Sequence, residues 1–561
     1  YREAARIYGE LGEGERASRA LVRGCSCVAD LDERISCLEG VVDQLQAQQV
    51  TDVKAEGLTA LGLACDAAGR HMEALDWYRV AANAYRDLGD LEGEARAWQY
   101  AGMMLKSLDR FEEAIGCLRT ASVLYADVRN RTQMVEYEAW ALMDLADCHL
   151  ATGDSAEALF TYETALAVGQ LGDGTINVTT RPLWGMGRCY WTMDDLVQAR
   201  RSYAAAIDDA ERYVATYDEE ARRQWLYESV RKLYEEYIRL LSEVDDWVQD
   251  MFPVSERCRA RTFIDLLVGG PIGPLEAITE AGIESRSINS EVLLRDMEKV
   301  ISELSPRAAV VSYFVAESAV FVWTITRGHV SDPIRIEIPR AQLLDLVLDF
   351  RQTIETQPPQ GQEPTALLEI LSQARDLHDL LLSPVAEGIA GYAHLVIVPS
   401  GPLHYLPFAA LYDCPGCEEG ALWGGQYLIE RSTLSYLPSL TTLKYAQEKG
   451  RHAEAEPTIF ALGDPDSGNP DYRRLPGAQA EVQAIARLFP GPPEPVVVVD
   501  IEATKTALRE HSAGVRHVLL STHGFFNPEN PMASYLLMAP TEQDDEKLYT
   551  HEVFGLGLRA D

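Results

Sequence analysis

The residue of this sequence best suited to proton transfer is His523. It leaves the apolar segment Val515–Leu520, which is predicted to be a buried strand, within Ser521-Thr522-His523-Gly524. A histidine at a strand end, beside a glycine that permits close backbone approach, is placed to act as a general base toward a nucleophile. The alternative is a histidine that packs at the strand end and bonds a backbone carbonyl. Placement alone leaves both interpretations open.

A second polar group follows another apolar segment. Thr458–Gly463 is predicted to be a strand, and Asp464-Pro465-Asp466 comes directly after it. In a parallel sheet the carboxyl ends of the strands share one edge, and ligands bind at that edge. We therefore expect Asp464 to lie near His523, where its carboxylate could line a substrate pocket.

The elements that must position these residues alternate between strands and helices. The predicted strands are 310–315 and 320–326 (a hairpin), 394–399, 458–463, 496–499 and 515–521, and the predicted helices are 341–354, a segment ending near 382, 478–488 and 503–509. Continuous apolar strands separated by helices indicate a mostly parallel sheet covered on both faces. The C-terminal half is therefore predicted to be an α/β domain.

The N-terminal part carries an internal repeat. A small residue is followed by Ala twelve positions on and by Ala seven further on, with Tyr or Leu four after the first of these. The copies are Gly62/Ala74/Tyr78/Ala81, Gly102/Ala114/Leu118/Ala121, Ala146/Ala158/Tyr162/Ala165 and Gly187/Ala199/Tyr203/Ala206. Small residues let two helices approach closely, and the large neighbour fills the gap. The pattern resembles the tetratricopeptide repeat (TPR), with a period longer than its usual ~34 residues.

This resemblance implies an all-α superhelix. Residues 1–8 are interpreted as the second helix of a partial repeat, and residues 15–50 as a degenerate repeat. The repeated small and aromatic positions are expected to pack, without a direct functional role. The concave face of the stacked repeats is expected to bind a protein partner.

Composition narrows the classes of function. Apolar residues make up 47% of the 561-residue chain and charged residues 24%, which is typical of folded domains. The formal net charge of −37 argues against direct nucleic-acid binding, because phosphate backbones bind surfaces rich in Lys and Arg. No apolar run is long enough to cross a membrane and no secretory leader is found. We expect a cytoplasmic protein that does not contact membranes.

The ten cysteines are not expected to form a disulfide framework in a chain this large. Cys65, Cys117, Cys148 and Cys189 fall on predicted helix faces, where small apolar side chains pack. Cys414-Pro415-Gly416-Cys417 has metal-like spacing, but a structural zinc site needs four ligands and no second pair is found. Two idle thiols in a turn are expected there, and no metal or other cofactor.

The C-terminal half resembles the CHAT domain, a caspase-like domain associated with TPR repeats. The matching motifs are Val396–Leu411, Leu475-Pro476-Gly477-Ala478 with Glu481, Ala503-Thr504-Lys505, Thr522-His523-Gly524 with Asn527-Pro528, and Ser534-Tyr535-Leu536-Leu537. The segment 255–267 resembles the stretch that joins repeats to this domain. The predicted domains are a repeat array at 1–220, a helical connector at 221–304 and a CHAT domain at 305–561, with a pseudo-caspase half at 305–450 and a His-bearing half at 451–561.

The resemblance implies a cysteine peptidase in which His523 deprotonates a cysteine thiol. Backbone N–H groups near Gly524 would stabilise the oxyanion. In this family the cysteine follows the next buried strand, so it is expected just beyond Asp561 in an incomplete sequence. The chain up to Asp561 is accordingly expected to be inactive.

By the same resemblance, the full-length protein is expected to be a partner-regulated endopeptidase of prokaryotic antiviral defence. Its activator would be a CRISPR effector or another protein bound to the concave TPR face, and its substrate would be a protein such as a gasdermin. The alternative is a non-catalytic protein-interaction scaffold. A hydrolase with another substrate is the weakest of the three, since no Gly-rich phosphate loop or metal cluster is found.

Overall fold

Helices in consecutive pairs make up the first part of the chain. A computed structural model divides the chain into two units, Tyr1–Thr216 and Tyr217–Asp561. It describes residues 1–11, 13–46, 51–132, 135–172, 178–214, 220–259, 290–356, 363–415, 424–441, 443, 458–489, 494–512, 515–525, 534–549 and 552–553.

The first unit has the helices that the repeat pattern predicts. They are α1 (Arg2–Glu10), α2 (Gly14–Ser26), α3 (Leu31–Gln46), α4 (Asp52–Ala67), α5 (His71–Leu88), α6 (Leu91–Ser107), α7 (Phe111–Thr132), α8 (Val135–Ala151), α9 (Ser155–Gly169), α10 (Thr180–Thr192) and α11 (Leu196–Val214). The pairs α4–α5, α6–α7, α8–α9 and α10–α11 correspond to the four copies, and α2–α3 covers the degenerate repeat. The predicted helical repeat array is confirmed.

The small residue of a repeat packs against the large residue of the same repeat. A Cβ atom added at Gly62 would lie 2.6 Å from the Tyr78 ring, and one at Gly102 would lie 2.5 Å from Leu118. The Ala, Tyr and Leu positions of all four copies are 0% exposed. The absence of a side chain therefore sets how closely the paired helices approach.

Polar residues and glycines mark where these helices begin and end. The side chains of Thr51, Asp90 and Asp154 accept hydrogen bonds from backbone N–H groups in the first turns of α4, α6 and α9. Gly89 ends α5 with a φ of 72°, a left-handed conformation that glycine adopts without a steric penalty. These caps explain why each pattern of apolar residues breaks where it does.

Two cysteines of the first unit form a disulfide that the sequence analysis did not predict. Cys25 in α2 and Cys37 in α3 are bonded, with their Cα atoms 5.5 Å apart. Cys414 of the second unit is disulfide-bonded as well, and Cys417 lies outside the described residues. The expectation of no disulfide is wrong for Cys25 and Cys37, and the expectation of an idle thiol is wrong for Cys414, because the packing of elements decides which sulfur atoms meet.

The second unit combines helices with short strands. The helices are α12 (Glu220–Ser242), α13 (251–259), α14 (Ser290–Glu303), α15 (Arg340–Glu355), α16 (Glu363–Leu381), α17 (Ala386–Ile389), α18 (Leu428–Arg431), α19 (Pro476–Ala486) and α20 (Lys505–His511). The strands are β1 (Ala308–Val315), β2 (Val320–Thr326), β3 (His329–Val330), β4 (Ile334–Ile336), β5 (His394–Val398), β6 (Tyr412–Asp413), β7 (Gln426–Tyr427), β8 (Thr433–Tyr436), β9 (Ile459–Pro465), β10 (Val496–Asp500), β11 (His517–Ser521), β12 (Gly524–Phe525), β13 (Tyr535–Leu537) and β14 (Lys547–Tyr549).

A mixed sheet with the strand order β3-β2-β1-β5-β8 occupies the first part of this unit, and β4 also pairs with β2. β1 and β2 form the predicted antiparallel hairpin, with Tyr313 opposite Val322. On its other side β1 pairs in parallel with β5, with Val311 opposite Ile397. Every residue of β1 is buried, as expected for a strand with both faces covered.

A second sheet follows, with the order β10-β9-β11, and all of its strands are parallel. An antiparallel sheet with the order β12-β13-β14 comes after it in the chain. The predicted strands 394–399, 458–463, 496–499 and 515–521 are confirmed as β5, β9, β10 and β11. The prediction that the strand before His523 is buried is wrong for the described residues, because β11 is at the edge of its sheet and all of its residues are only partly buried. The prediction of a mostly parallel sheet holds only for the central ladders. Hairpins add antiparallel strands, so the described strands form separate sheets of mixed direction.

A buried ion pair fixes α13 to the first sheet. Arg259 donates hydrogen bonds to Ser312 Oγ at 2.9 Å and to the Tyr313 carbonyl at 2.5 Å. It also pairs with Glu256 at 2.7 Å, and the Glu256 carboxylate accepts the Thr441 N–H at 3.1 Å. Buried charges need such partners. The predicted helix 255–267 is described up to residue 259.

Candidate active site

His523 and Asp464 follow adjacent strands at one edge of the second parallel sheet. β11 pairs with β9 so that Ser521 lies opposite Gly463. Asp464 comes directly after Gly463, and His523 lies two residues after Ser521. The histidine is close enough to act electrostatically on the carboxyl group of Asp464. The topology therefore brings these two residues to the edge where α/β proteins bind ligands.

One nitrogen of His523 is held by the backbone. Its Nε2 atom lies 2.6 Å from the carbonyl oxygen of Arg473. A carbonyl only accepts, so Nε2 must carry the proton, and Nδ1 of the neutral ring is left with a lone pair. The described residues offer no hydrogen-bond partner to Nδ1. The ring is thus oriented by one nitrogen and able to take a proton on the other.

Asp464 is buried beneath the segment that carries Arg473. Its carboxylate accepts hydrogen bonds from Arg474, at 3.1 and 2.9 Å, and from the Leu475 N–H at 2.5 Å. Burial raises the pKa of the Asp464 carboxyl, but these hydrogen bonds outweigh burial and bring the pKa below its ordinary value. Only 3% of the residue is exposed. These contacts engage both carboxylate oxygens of Asp464 with the segment 474–475.

Arg474 forms ion pairs with carboxylates at the ends of two strands. Besides Asp464, it reaches Asp466 at 3.3 Å and Asp500, the last residue of β10, at 2.8 Å. Asp464 and Asp500 both have a positive φ, of 47° and 59°. Non-glycine residues held in this region cost about 1–3 kcal/mol each, and they concentrate at functional sites.

Gly524 begins the strand that follows His523. Leu537 N–H donates to the His523 carbonyl at 2.9 Å, and Gly524 lies opposite Leu536 in the same ladder. Because hydrogen-bonded and non-bonded pairs alternate in an antiparallel ladder, the Gly524 N–H points away from β13. A Cβ atom at Gly524 would meet Leu536 at an ordinary 3.4 Å, so the glycine is not demanded by packing.

Aromatic rings that the sequence analysis did not single out surround His523. The ring centroid of His523 lies 6.4 Å from Tyr472 and 6.2 Å from Phe525. Phe525 stacks on Tyr535 at 4.8 Å. The alternation of side chains in His523-Gly524-Phe525 and Tyr535-Leu536-Leu537 is a signal that predicts a shared face once these segments are recognised as paired strands.

Lys505 is the first residue of α20 and carries a buried charge. It belongs to the matching motif Ala503-Thr504-Lys505, for which no role was predicted. Its Nζ atom lies 2.6 Å from Asp545 and 2.9 Å from Glu552, and its side chain is 4% exposed. Thr504 caps the same helix by accepting the Ala507 N–H at 3.0 Å. This cluster ties α20 to β14 and to the described residues that follow β14.

The C-terminal part of the chain matches the model of a known family, described as the CHAT domain, over residues 371–561. The second unit therefore contains a CHAT domain. The matched region includes Asp464, His523 and Gly524. Together with the helical repeats of the first unit, the CHAT domain gives the chain a TPR–CHAT architecture. CHAT is a caspase-like peptidase family, so the architecture is that of a peptidase or of a TPR scaffold.

Several solved structures resemble part of the chain. BtubC (BKLC) from P. vanneervenii is 19% identical with a TM-score of 0.32, and the likeness covers 37% of this chain and 87% of that one. MamA is 18% identical (TM-score 0.26; 38% and 97% covered). YrrB, a TPR protein with an unusual peptide-binding site, is 17% identical (TM-score 0.28; 36% and 90% covered). A search of curated proteins found no match.

The part of the chain that the structure describes has neither a metal-binding cluster nor a membrane-spanning helix. No cluster of three or more His, Cys, Asp or Glu side chains there is arranged to hold a metal ion. Every helix in the same residues is too short or too polar to cross a membrane.

Proposed function

We propose that the full-length protein is a cysteine endopeptidase with His523 as its general base. The observation that carries the proposal is the hydrogen bond from His523 Nε2 to the Arg473 carbonyl, which leaves Nδ1 to receive a proton. A histidine that only packs at a strand end also makes such a bond, but packing gives no reason for a nitrogen at the ligand-binding edge that has no hydrogen-bond partner among the described residues. By the resemblance to the CHAT family, the nucleophile is a cysteine after the next buried strand, in sequence that follows Asp561. Between His523 and Asp561 the chain has no cysteine.

The proposed reaction is an ordinary acyl transfer. The thiol proton moves to His523 Nδ1 as the sulfur attacks the scissile carbonyl carbon, and the Gly524 N–H donates to the resulting oxyanion. His523 then protonates the leaving amine, and water hydrolyses the thioester and restores the thiol. Asp464 and Arg474 hold the segment that orients His523.

In this proposal the repeats control the peptidase. A protein partner on their concave face shifts the population of active CHAT domains. The proposed boundaries are 1–220 for the repeat array, 221–304 for the connector and 305–561 for the CHAT domain. The setting is cytoplasmic antiviral defence, with a CRISPR effector as activator or a gasdermin as substrate. Equal activity with and without residues 1–220 would remove the regulatory part of the proposal.

The deciding experiment uses the full-length protein, including the residues after Asp561. It is incubated with proteins encoded beside its gene, in parallel with the His523→Ala variant and with His329→Ala, an exposed histidine in β3. Discrete fragments that require His523 but not His329 support the peptidase and identify the substrate. Stable co-purification with a partner and no cleavage favours the scaffold, the second candidate.

A further inference from the structure

The sheet that follows His523 has two different faces. Leu536 and Leu548 lie opposite each other in adjacent strands and pack into the core around Phe460 and Leu462. Side chains alternate between the faces of a strand. The residues next to these leucines therefore lie on the other face, away from that core.

The other face carries a ladder of aromatic rings. Phe525, Tyr535 and Tyr549 are direct cross-strand partners in β12, β13 and β14. Their ring centroids are 4.8 Å apart from Phe525 to Tyr535 and 5.7 Å apart from Tyr535 to Tyr549. All three rings are partly exposed. We call Phe525, Tyr535 and Tyr549 the aromatic shelf.

The shelf begins at the proposed general base. His523 is two residues before Phe525, so both side chains lie on the same face of β12, with ring centroids 6.2 Å apart. Tyr472 contacts both, at 6.4 Å from His523 and 5.2 Å from Phe525. Its hydroxyl lies 3.1 Å from the Tyr535 hydroxyl. The loop that carries Arg473 thus also holds the shelf in place.

We infer that the aromatic shelf is a substrate subsite that receives a large apolar side chain about two residues from the scissile bond. This rests on the proposed peptidase function. An extended peptide rises ~3.3 Å per residue, so a residue two positions from the bond that His523 serves reaches the Phe525 ring. When an apolar side chain covers aromatic surface that is partly exposed, water leaves that surface and the complex is stabilised.

A lysine lies over the middle ring of the shelf. Lys547 Nζ lies 5.0 Å from the centre of the Tyr535 ring. Glu546, the preceding residue, carries the opposite charge, so no preference for or against a charged substrate residue follows here. The subsite therefore selects leucine, methionine or an aromatic residue through its apolar surface.

The test compares short quenched-fluorescence peptides that differ only in one residue, leucine or serine, scanned through the positions around the bond. Phe525→Ala in the full-length protein is expected to lower the ratio of kcat/KM for the leucine peptide to kcat/KM for the serine peptide about tenfold. Phe525→Leu keeps an apolar surface and is expected to retain most of the preference. Tyr436→Ala, which removes a half-exposed ring of β8, serves as the control and keeps it fully.

A binding measurement separates this inference from the peptidase proposal. The His523→Ala variant keeps the shelf, and fluorescence anisotropy gives its affinity for the same labelled leucine and serine peptides. In one outcome the leucine peptide binds more tightly, Phe525→Ala abolishes this difference, and the unmodified protein cleaves neither peptide. That outcome supports the subsite and contradicts the peptidase proposal. Cleavage without a preference for leucine, or with a preference that Phe525→Ala leaves intact, contradicts the proposed subsite and still supports the peptidase proposal.

Discussion

His523 Nε2 donates a hydrogen bond to the carbonyl oxygen of Arg473, a residue 50 positions earlier in the chain, at 2.6 Å. The carbonyl stands where it does because the next residue, Arg474, is paired with the buried Asp464 at 2.9 Å. The orientation of the proposed base thus depends on an ion pair that does not touch it.

This dependence gives a first prediction. Asp464→Asn removes the charge that holds Arg474, so the Arg473 carbonyl moves and the His523 ring loses its fixed orientation. A misplacement of about 1 Å costs on the order of 100-fold in rate. We expect kcat of the full-length protein to fall by about that factor while KM changes little, as measured with a cleaved peptide.

The control is Asp466→Asn, which removes a more exposed partner of the same arginine, at 3.3 Å. It is expected to change kcat much less. Equal losses in both variants would mean that the charge of the cluster, and not the position of Arg473, matters.

A second prediction concerns helix packing in the repeats. Gly62→Ala places a Cβ atom 2.6 Å from the Tyr78 ring, and such overpacking costs about 1–3 kcal/mol. Gly116→Ala, on α7, meets nothing within 4 Å and is expected to stabilise by up to about 1 kcal/mol through helix propensity. Hydrogen exchange in α4–α7 measures both. Equal effects of the two substitutions would contradict the packing argument.

A third prediction concerns the buried pair Glu256–Arg259. Glu256→Ala leaves the Arg259 guanidinium, 10% exposed, without its counter-charge, which costs about 3–5 kcal/mol. Faster hydrogen exchange in β1 is the readout. Arg335→Ala breaks an exposed pair with Glu337 and is expected to cost less than about 1 kcal/mol. A loss in Glu256→Ala no larger than in this control would show that α13 is not fixed by the ion pair.

A fourth prediction concerns acid stability of the repeats. Asp147 of α8 pairs with Lys106 of α6 and Arg181 of α10, each at 2.5 Å. Burial of the Asp147 carboxyl raises its pKa, but Arg181 and Lys106 outweigh burial and bring the pKa to about 2. The unfolded chain has a pKa of about 3.9 for this group, so the carboxylate contributes about 3 kcal/mol above pH ~4. This contribution is lost as the pH falls through the folded pKa.

Asp147→Asn is accordingly expected to lower the stability of α6, α8 and α10 at neutral pH and to flatten its dependence between pH ~4 and ~2. Hydrogen exchange at several pH values measures this, with the exposed Asp87→Asn as control. An unchanged pH dependence in Asp147→Asn would show that the carboxylate is not the group responsible.

Much of the fold follows from local patterns. The repeat spacing of Gly62, Ala74 and Tyr78 predicts paired helices because three- and four-residue periodicity is a property of one helix face. The strand β11 and the position of His523 at its end follow from a continuous apolar run. The separate, mixed sheets could not be predicted, because strand pairing joins segments far apart in the sequence.

The sequence by itself determined the helical repeats, the order of strands and helices, and the placement of His523 and Asp464 after apolar strands. The physical reason is that periodicity and burial are encoded by neighbouring residues. Only the tertiary structure decided that Cys25 bonds Cys37, that the Arg473 carbonyl orients His523, and that Phe525, Tyr535 and Tyr549 share one face. These contacts depend on how separate elements pack, which no local pattern specifies.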